Sequence, residues 1–287
     1  MPLEVVVVID GDDPETEAVT SSIGDSRVRI VALDQSVGGA AARNIGVQNA
    51  SGEWIAFLDD DDEWLPTKLE KQLEAAAGVS EAYPIISCKI LARRGDRTDV
   101  WPLRSPVRPY SEYLLVRKRI RYGEGVLQTS TLVARRTLLV SVPFRNGLRK
   151  YQDWDWILRA TALKTTRLVF VDEPLSIWRL DDGRKRVSQQ DDWQMSLSWI
   201  QSVRHFVTRR AYASFIANYV MRQACAARAW RVAPGLLKEA IVNGNPGALD
   251  VAALILPWLV SAKLIRLLRR ALLQHSPADG KVLCERI

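Results

Sequence analysis

The chain opens on an unbroken β-branched run, Val5–Ile9, the pattern of a strand buried on both faces. The run gives way to Asp10-Gly11-Asp12-Asp13-Pro14. Asp13 is placed to cap a helix whose first position is Pro14, with Glu15 and Glu17 in its first turn and an end near Ile23. Residues 28–33 read as a second strand. Gly38-Gly39 then opens a helix over 40–50, stopped by Ser51-Gly52. A third buried strand over 54–58 ends in four consecutive acids, Asp59-Asp60-Asp61-Asp62. Pro66 starts a further helix to about Ala77, and 85–92 reads as a strand.

Beyond this point the pattern is less regular. Residues 93–109 are polar and Pro-bearing, which predicts a surface loop. A helix is predicted over 151–162 and a short strand over 168–171. After Gln190 the pattern turns helical, over 193–208, 211–230, 234–242 and 248–273. Strands alternating with helices predict an α/β domain with a largely parallel sheet over 1–190, followed by a helical basic tail over 191–287. In such sheets ligands gather at the carboxyl ends of strands, where Asp10 and Asp59–Asp62 lie.

Composition narrows the class. Of 287 residues 47% are hydrophobic and 25% charged, a globular balance that excludes wholesale disorder. The net charge of +7 is wholly that of residues 191–287, which hold 13 basic against 6 acidic side chains. A neutral body argues against nucleic acid as a partner, and a basic tail points to a membrane surface. Three scattered cysteines imply no disulfide framework and a reducing compartment. With two histidines in the chain, a metal site has to be built from carboxylates, which suits Mg²⁺ or Mn²⁺. The start lacks a basic leader, and the longest apolar run, 251–262, is shorter than the roughly 20 residues a spanning helix needs.

The acidic run is the sharpest chemical feature. Four adjacent carboxylates repel one another unless a cation or solvent compensates them. If the strand continues into the run, Asp59 and Asp61 share a side and chelate one hard cation. The plain alternative is a solvated acidic turn.

Two stretches carry a resemblance. Ala41-Ala42-Arg43-Asn44-Ile45-Gly46 and Gly52-Glu53-Trp54-Ile55-Ala56-Phe57-Leu58-Asp59-Asp60-Asp61-Asp62-Glu63-Trp64-Leu65-Pro66 resemble the inverting family 2 glycosyltransferases of the GT-A fold, a three-layer α/β/α sandwich. The resemblance implies that Asp59 and Asp61 are the Asp-x-Asp pair that grips metal and nucleoside diphosphate sugar. Asp60 lies between them in the same nucleotide-sugar site, and Arg43 lies near the nucleotide. Val7-Val8-Ile9-Asp10-Gly11-Asp12 is similar to the family's second strand, which puts Asp10 at the nucleotide base. The family's first strand and helix have no counterpart ahead of it, so one strand-helix unit is expected to be missing and the Val5–Ile9 strand to show an edge.

Tyr151-Gln152-Asp153-Trp154-Asp155-Trp156 matches the family's catalytic acid pair, with Gln152 in place of the usual Glu. The resemblance makes Asp153 the base that takes the acceptor's proton, with Asp155 as the alternative. Losing the neighbouring acid is expected to lower the Asp153 pKa relative to the usual pair. Trp154, Trp156 and Trp178 are placed near the acceptor, and Arg179, Arg184, Lys185 and Arg186 near the leaving diphosphate. No His follows Arg179 to assist the metal, so Asp181, Asp182 or water would substitute.

In the tail, Lys263, Arg266 and Arg270 fall on one helical face, with Leu264, Ile265, Leu267, Leu268, Leu272 and Leu273 around the remainder. That pattern predicts an interfacial helix over 251–273 that rests at the inner face of the membrane, near a lipid-linked acceptor. The resemblance implies a cytoplasmic enzyme of cell-envelope polysaccharide synthesis acting on a glycan or lipid-linked acceptor. The rival reading is a non-catalytic GT-A-like binding protein. A nucleotidyltransferase is a third reading, disfavoured because no Gly-rich, Lys/Arg-bearing phosphate loop lies near the N-terminus.

Overall fold

The computed structural model describes residues 2–118, 123–180 and 192–259. Strand β1 (Val5–Ile9) pairs in parallel with β2 (Val28–Ala32), joined by α1 (Pro14–Ser22). Asp13 caps that helix as expected, its Oδ1 accepting from the Thr16 amide at 3.0 Å. Burial along β1 is uneven: Ile9 is 5% exposed and Val5 42%, so the strand is covered at its carboxyl end and open at its start. Helix α2 (Gly39–Asn49) packs on β1 and leads into β3 (Trp54–Ala56).

The chain continues through β4 (Asp62–Trp64), α3 (Lys68–Ala77), β5 (Tyr83–Arg94), β6 (Arg97–Trp101), α4 (Tyr110–Leu115), β7 (Val133–Arg135), α5 (Arg136–Ser141), α6 (Gln152–Ala160) and β8 (Thr166–Arg179). Among the described residues β1 and β2 form a sheet of their own, and a larger sheet runs β3-β7-β5-β8-β4 with β6 hung on β5. The expectation of a largely parallel sheet is corrected here. Within the larger sheet β5 and β8 pair in parallel, while β3–β7, β4–β8, β5–β6 and β5–β7 are antiparallel.

Two local misreadings have physical causes. The expected surface loop after Arg93 is instead a hairpin, because Gly95-Asp96 closes a two-residue turn with Arg94 opposite Arg97 and Gly95 at φ 53°. The short strand at 168–171 extends to Arg179. Asp172-Glu173-Pro174 reads as a break in sequence, yet it forms an irregularity at which the register with β5 shifts around Lys89.

Strand alternation builds three layers. Ile85, Ala134 and Leu168 face a core shared with α5, α6 and the later helices, while their neighbours Ile86, Val133 and Val169 face Leu69, Leu73 and Ala76 of α3. The C-terminal helices are α7 (Trp193–Ser202), α8 (Arg209–Phe215), α9 (Met221–Ala226), α10 (Ala233–Val242) and α11 (Ala248–Leu259). A π-helical turn, Ile216–Val220, links α8 to α9. Trp199, Tyr212, Phe215 and Met221 join the same core as Trp156 and Leu158, so one hydrophobic core runs through the division expected at 190. Asp250 is fully buried there, accepting from Arg210, Ser214 and Asn218.

Among the described residues no helix is long and apolar enough to cross a membrane. The expected roles of Asp181, Asp182, Arg184, Lys185 and Arg186, and of Lys263, Arg266 and Arg270, fall outside the described residues.

Candidate active site

Three segments meet at Arg43, on the second turn of α2. Its Nη2 donates to Asp59 Oδ1 at 2.5 Å, and its Nη1 donates to Gln152 Oε1 at 2.5 Å. The guanidinium carbon lies 5.8 Å from the centre of the Phe144 ring. Gly39, one turn earlier, leaves the room this needs: a Cβ there would sit 3.3 Å from Arg43 Nη1. Arg43 therefore ties the acidic segment to the first residue of α6.

The acids do not extend the strand. β3 ends at Ala56, and the Asp62 amide donates to the Asp59 carbonyl at 3.1 Å, closing a turn with Asp60 and Asp61 between them. The strand-alternation argument for Asp59 and Asp61 fails for that reason. Asp60 is exposed, and Asp59 and Asp61 are half-buried. Asp62 turns inward to accept from Gln128 Nε2 and, at 2.6 Å, from Ser130 Oγ. Burial pushes its carboxyl up to about 6, opposed by those two donors and reinforced by the charges of Asp59 and Asp61. Asp62 Oδ1 and Gln128 Oε1 are both buried without a hydrogen-bond partner.

Among the described residues no three His, Cys, Asp or Glu side chains converge as a metal cage. Asp59 and Asp61 offer hard oxygen donors on an open turn. A pair of this kind suits Mg²⁺ or Mn²⁺, which commonly take one or two carboxylates and complete their shell with phosphate oxygens and water.

Asp153 sits in the first turn of α6, beside Arg43 and Asp59. Desolvation pushes its carboxyl up to about 6. The Trp154 amide, which donates to its Oδ1 at 2.8 Å, and the charge of Arg43 oppose the rise, and the charge of Asp59 adds to it. The alternative base, Asp155, is corrected. It is fully buried and accepts from Arg159 Nε at 2.7 Å and Trp199 Nε1 at 3.2 Å, with Arg145 Nη2 at 3.0 Å. It anchors α6 and presents no face to an acceptor.

Asp10 holds the loop ahead of α2. Its carboxylate accepts from the Val37 amide at 2.6 Å, the Gly38 amide at 2.9 Å and Ser36 Oγ at 3.0 Å. Gly11, at φ 119°, lets that loop come close: a Cβ there would lie 3.3 Å from Ser36 N. A cavity of about 330 Å³ opens beside it at the carboxyl ends of β1 and β2, lined by Ile9, Gly11, Asp12, Asp13, Glu17 and Asp34.

The tryptophans divide. Trp154 is half-buried next to Asp153, with Tyr219 edge-on at 5.6 Å. Trp156 is fully buried, stacks on Phe144 and donates to the Val142 carbonyl, so it belongs to the core and not to an acceptor surface. Trp178 packs edge-on to Trp101 at 6.1 Å. Arg179 pairs with Glu63 at the end of β8.

Sequence reasoning missed Ser130. It is fully buried, and its Oγ accepts from the Asp59 amide at 3.0 Å while donating to Asp62. Its carbonyl accepts from Trp64 Nε1 at 3.0 Å and Ser176 Oγ at 3.2 Å. Nothing in Gln128-Thr129-Ser130-Thr131 signals that role.

Residues 1–140 match the family described as Glycosyl transferase family 2. The amylovoran biosynthesis glycosyltransferase AmsB of Erwinia amylovora is 26% identical over 214 residues, covering 71% of this chain and 69% of AmsB. The Escherichia coli UDP-Glc:alpha-D-GlcNAc-diphosphoundecaprenol beta-1,3-glucosyltransferase WfgD is 39% identical over 70 residues, covering 24% of this chain and 28% of WfgD. S. aureus TarS 1–349, solved in complex with UDP-GlcNAc, aligns with a TM-score of 0.53 at 17% identity over 84% of this chain and 63% of that one. That likeness shows a shared fold, the GT-A type. The matched segment contains Asp10, Arg43 and the Asp59–Asp62 turn, and residues 1–140 belong to Glycosyl transferase family 2.

Proposed function

We propose that the chain transfers a sugar, with inversion, from a nucleoside diphosphate sugar to a hydroxyl of a cell-envelope glycan or lipid-linked acceptor. The observation that carries this reading is the convergence on Arg43 of the acidic turn and the start of α6, which puts Asp59 and Asp153 at one place from segments far apart in sequence. Names of relatives support the classes of substrate: WfgD uses a UDP-sugar and a diphosphoundecaprenol-linked acceptor, and TarS was solved with UDP-GlcNAc.

In this reading the nucleotide base occupies the cavity beside Asp10, and the diphosphate lies over the 59–61 turn. Asp59 and Asp61 would hold Mg²⁺ or Mn²⁺, which supplies positive charge to the departing diphosphate. Asp153 accepts the proton of the acceptor hydroxyl as its oxygen attacks the anomeric carbon opposite the leaving group. The bond from that carbon to the diphosphate oxygen breaks, and the nucleoside diphosphate leaves with the electron pair. Arg43 holds Asp59 and Gln152 in register for the step. The 251–273 segment would rest on the membrane that carries a lipid-linked acceptor, and exposure of Val251 and Ile255 on α11 supports this.

The test is purified full chain with Mg²⁺ or Mn²⁺, a panel of nucleoside diphosphate sugars and a lipid-diphosphate-linked sugar acceptor. Release of nucleoside diphosphate with a product of inverted anomeric configuration is expected. Nucleotide binding by calorimetry without turnover on any donor would instead identify a binding protein.

A further inference from the structure

Tyr151, immediately before Gln152 and Asp153, has left-handed backbone angles, φ 64° and ψ 22°. A tyrosine is held there against its steric preference when its surroundings over-determine it. The surroundings are specific. Tyr151 Oη lies 2.8 Å from Ser196 Oγ, Ser196 Oγ lies 2.7 Å from Gln223 Oε1, and Gln223 Nε2 donates back to Tyr151 Oη at 3.3 Å. Each of the three groups can give one proton and receive one around the ring, and Ser196 Oγ also lies 3.0 Å from the Asp192 carbonyl. Ser196 and Gln223 are fully buried, on α7 and α9. The Tyr151 ring stacks on Trp199 at 4.6 Å and on Trp154 at 5.6 Å, and meets Phe215 edge-on at 5.3 Å.

Both ends of the strained residue are therefore committed. Its side chain is locked into the C-terminal helices, and its carbonyl accepts the first helical bond of α6 from the Asp155 amide at 2.8 Å. Trp199, stacked on Tyr151, also donates to Asp155, so the same helices grip α6 one turn further on. The left-handed turn sets the direction in which α6 leaves the chain, and with it the placement of Gln152 toward Arg43 and of Asp153 beside them.

We propose that Tyr151 is a positioning residue for Asp153, and that residues 192–226 set the reach of the base through it. This rests on the reading of Asp153 as the base. Misplacement of a reacting group by about 1 Å can cost about 100-fold in rate, whereas Tyr151 reaches the Arg43–Asp59 donor side only indirectly, through the Gln152 side chain.

The experiment compares full-chain wild type, Asp153→Asn, Tyr151→Phe and the remote Gln223→Leu. It measures kcat, donor KM and the Kd for nucleoside diphosphate, with melting curves to confirm folding. Tyr151→Phe and Gln223→Leu are both expected to lower kcat about tenfold while donor KM and nucleotide Kd stay within about twofold. Wild-type kcat in both variants, or an equal loss of kcat and nucleotide affinity, overturns the proposal while leaving the base assignment intact. Transfer by Asp153→Asn within about tenfold of wild type, or none by wild type, defeats the base reading and this proposal with it.

Discussion

Arg43 and Asp59 form an ion pair at 2.5 Å in which the side chains keep 21% and 26% of their exposure. The pair is more than a surface contact, because the other arm of the same guanidinium holds Gln152. A lysine has one point of charge and cannot span both partners. Arg43→Lys is expected to lower kcat/KM for the donor about 10- to 100-fold, the loss that follows from about 1.5–3 kcal/mol for a hydrogen bond to a charged group. Steady-state kinetics at varied donor concentration checks it. An unchanged kcat/KM would show that the bridge has no part in the reaction.

Asp153 is expected to control the acid limb of the rate profile. Its pKa is raised to about 6 chiefly by desolvation, so the carboxylate that accepts a proton forms as pH rises through about 6. Transfer should fall about tenfold per pH unit below that value and level off above it. Asp153→Asn should abolish transfer, a loss of about 10²–10⁴-fold, and leave nucleotide affinity in place. A rate that is flat from pH 5 to pH 8 would remove Asp153 from the role of base.

Much of this site was legible in the sequence because its parts are local signals. Asp13-Pro14 starts α1 where expected, and Arg43 and Asp59, expected in one site, bond one another. The cap and the motif are each set by a few adjacent residues. What escaped depends on contacts between distant segments. Asp62 looks equivalent to Asp59 in the run, yet a turn buries it against Gln128 and Ser130. Asp155 looks like a spare base, yet Arg145, Arg159 and Trp199 surround it. Strand direction escaped too, since alternating strands and helices imply parallel pairing unless a hairpin such as Gly95-Asp96 intervenes.

Asp155 yields a stability prediction. Removing one partner of a buried ionic cluster leaves the others uncompensated, at a cost of about 3–5 kcal/mol. Asp155→Ala should lower Tm by roughly 10 °C, using about 2–4 °C per kcal/mol for a chain of this size. A melting temperature within about 2 °C of wild type would mean that Arg145, Arg159 and Trp199 find solvent or other partners.

Lys68 supplies a pH dependence of stability. It is 1% exposed, donates to Gln72 Oε1 at 2.6 Å and lies 4.4 Å from the Trp64 ring centre. Burial lowers its pKa from 10.5 to about 8. The unfolded chain therefore binds more protons between those values, and stability rises with pH across that window. Lys68→Met lacks this dependence. Denaturant unfolding should show wild type gaining about 3 kcal/mol on the variant between pH 8 and pH 10.5. A difference that stays constant with pH would indicate a lysine with no shift.

Ser130 separates a structural role for the acidic turn from a chemical one. Its hydroxyl joins the Asp59 amide to the Asp62 carboxylate. In Ser130→Ala the Asp59 amide loses its acceptor and Asp62 keeps Gln128 as a donor. The cost of the unsatisfied group is about 1–3 kcal/mol. If the turn grips the donor diphosphate, that cost appears as a donor KM raised about tenfold or more with a smaller change in kcat, because Ser130 bonds Asp59 and Asp62 and holds Asp153 only indirectly, through Arg43 and Gln152. If the turn only joins β3 to β4, the same cost appears in the unfolding free energy with kinetic constants unmoved. Measuring KM and urea midpoint on the same protein distinguishes the two, and an unmoved KM would count against placing the diphosphate over Asp59–Asp61.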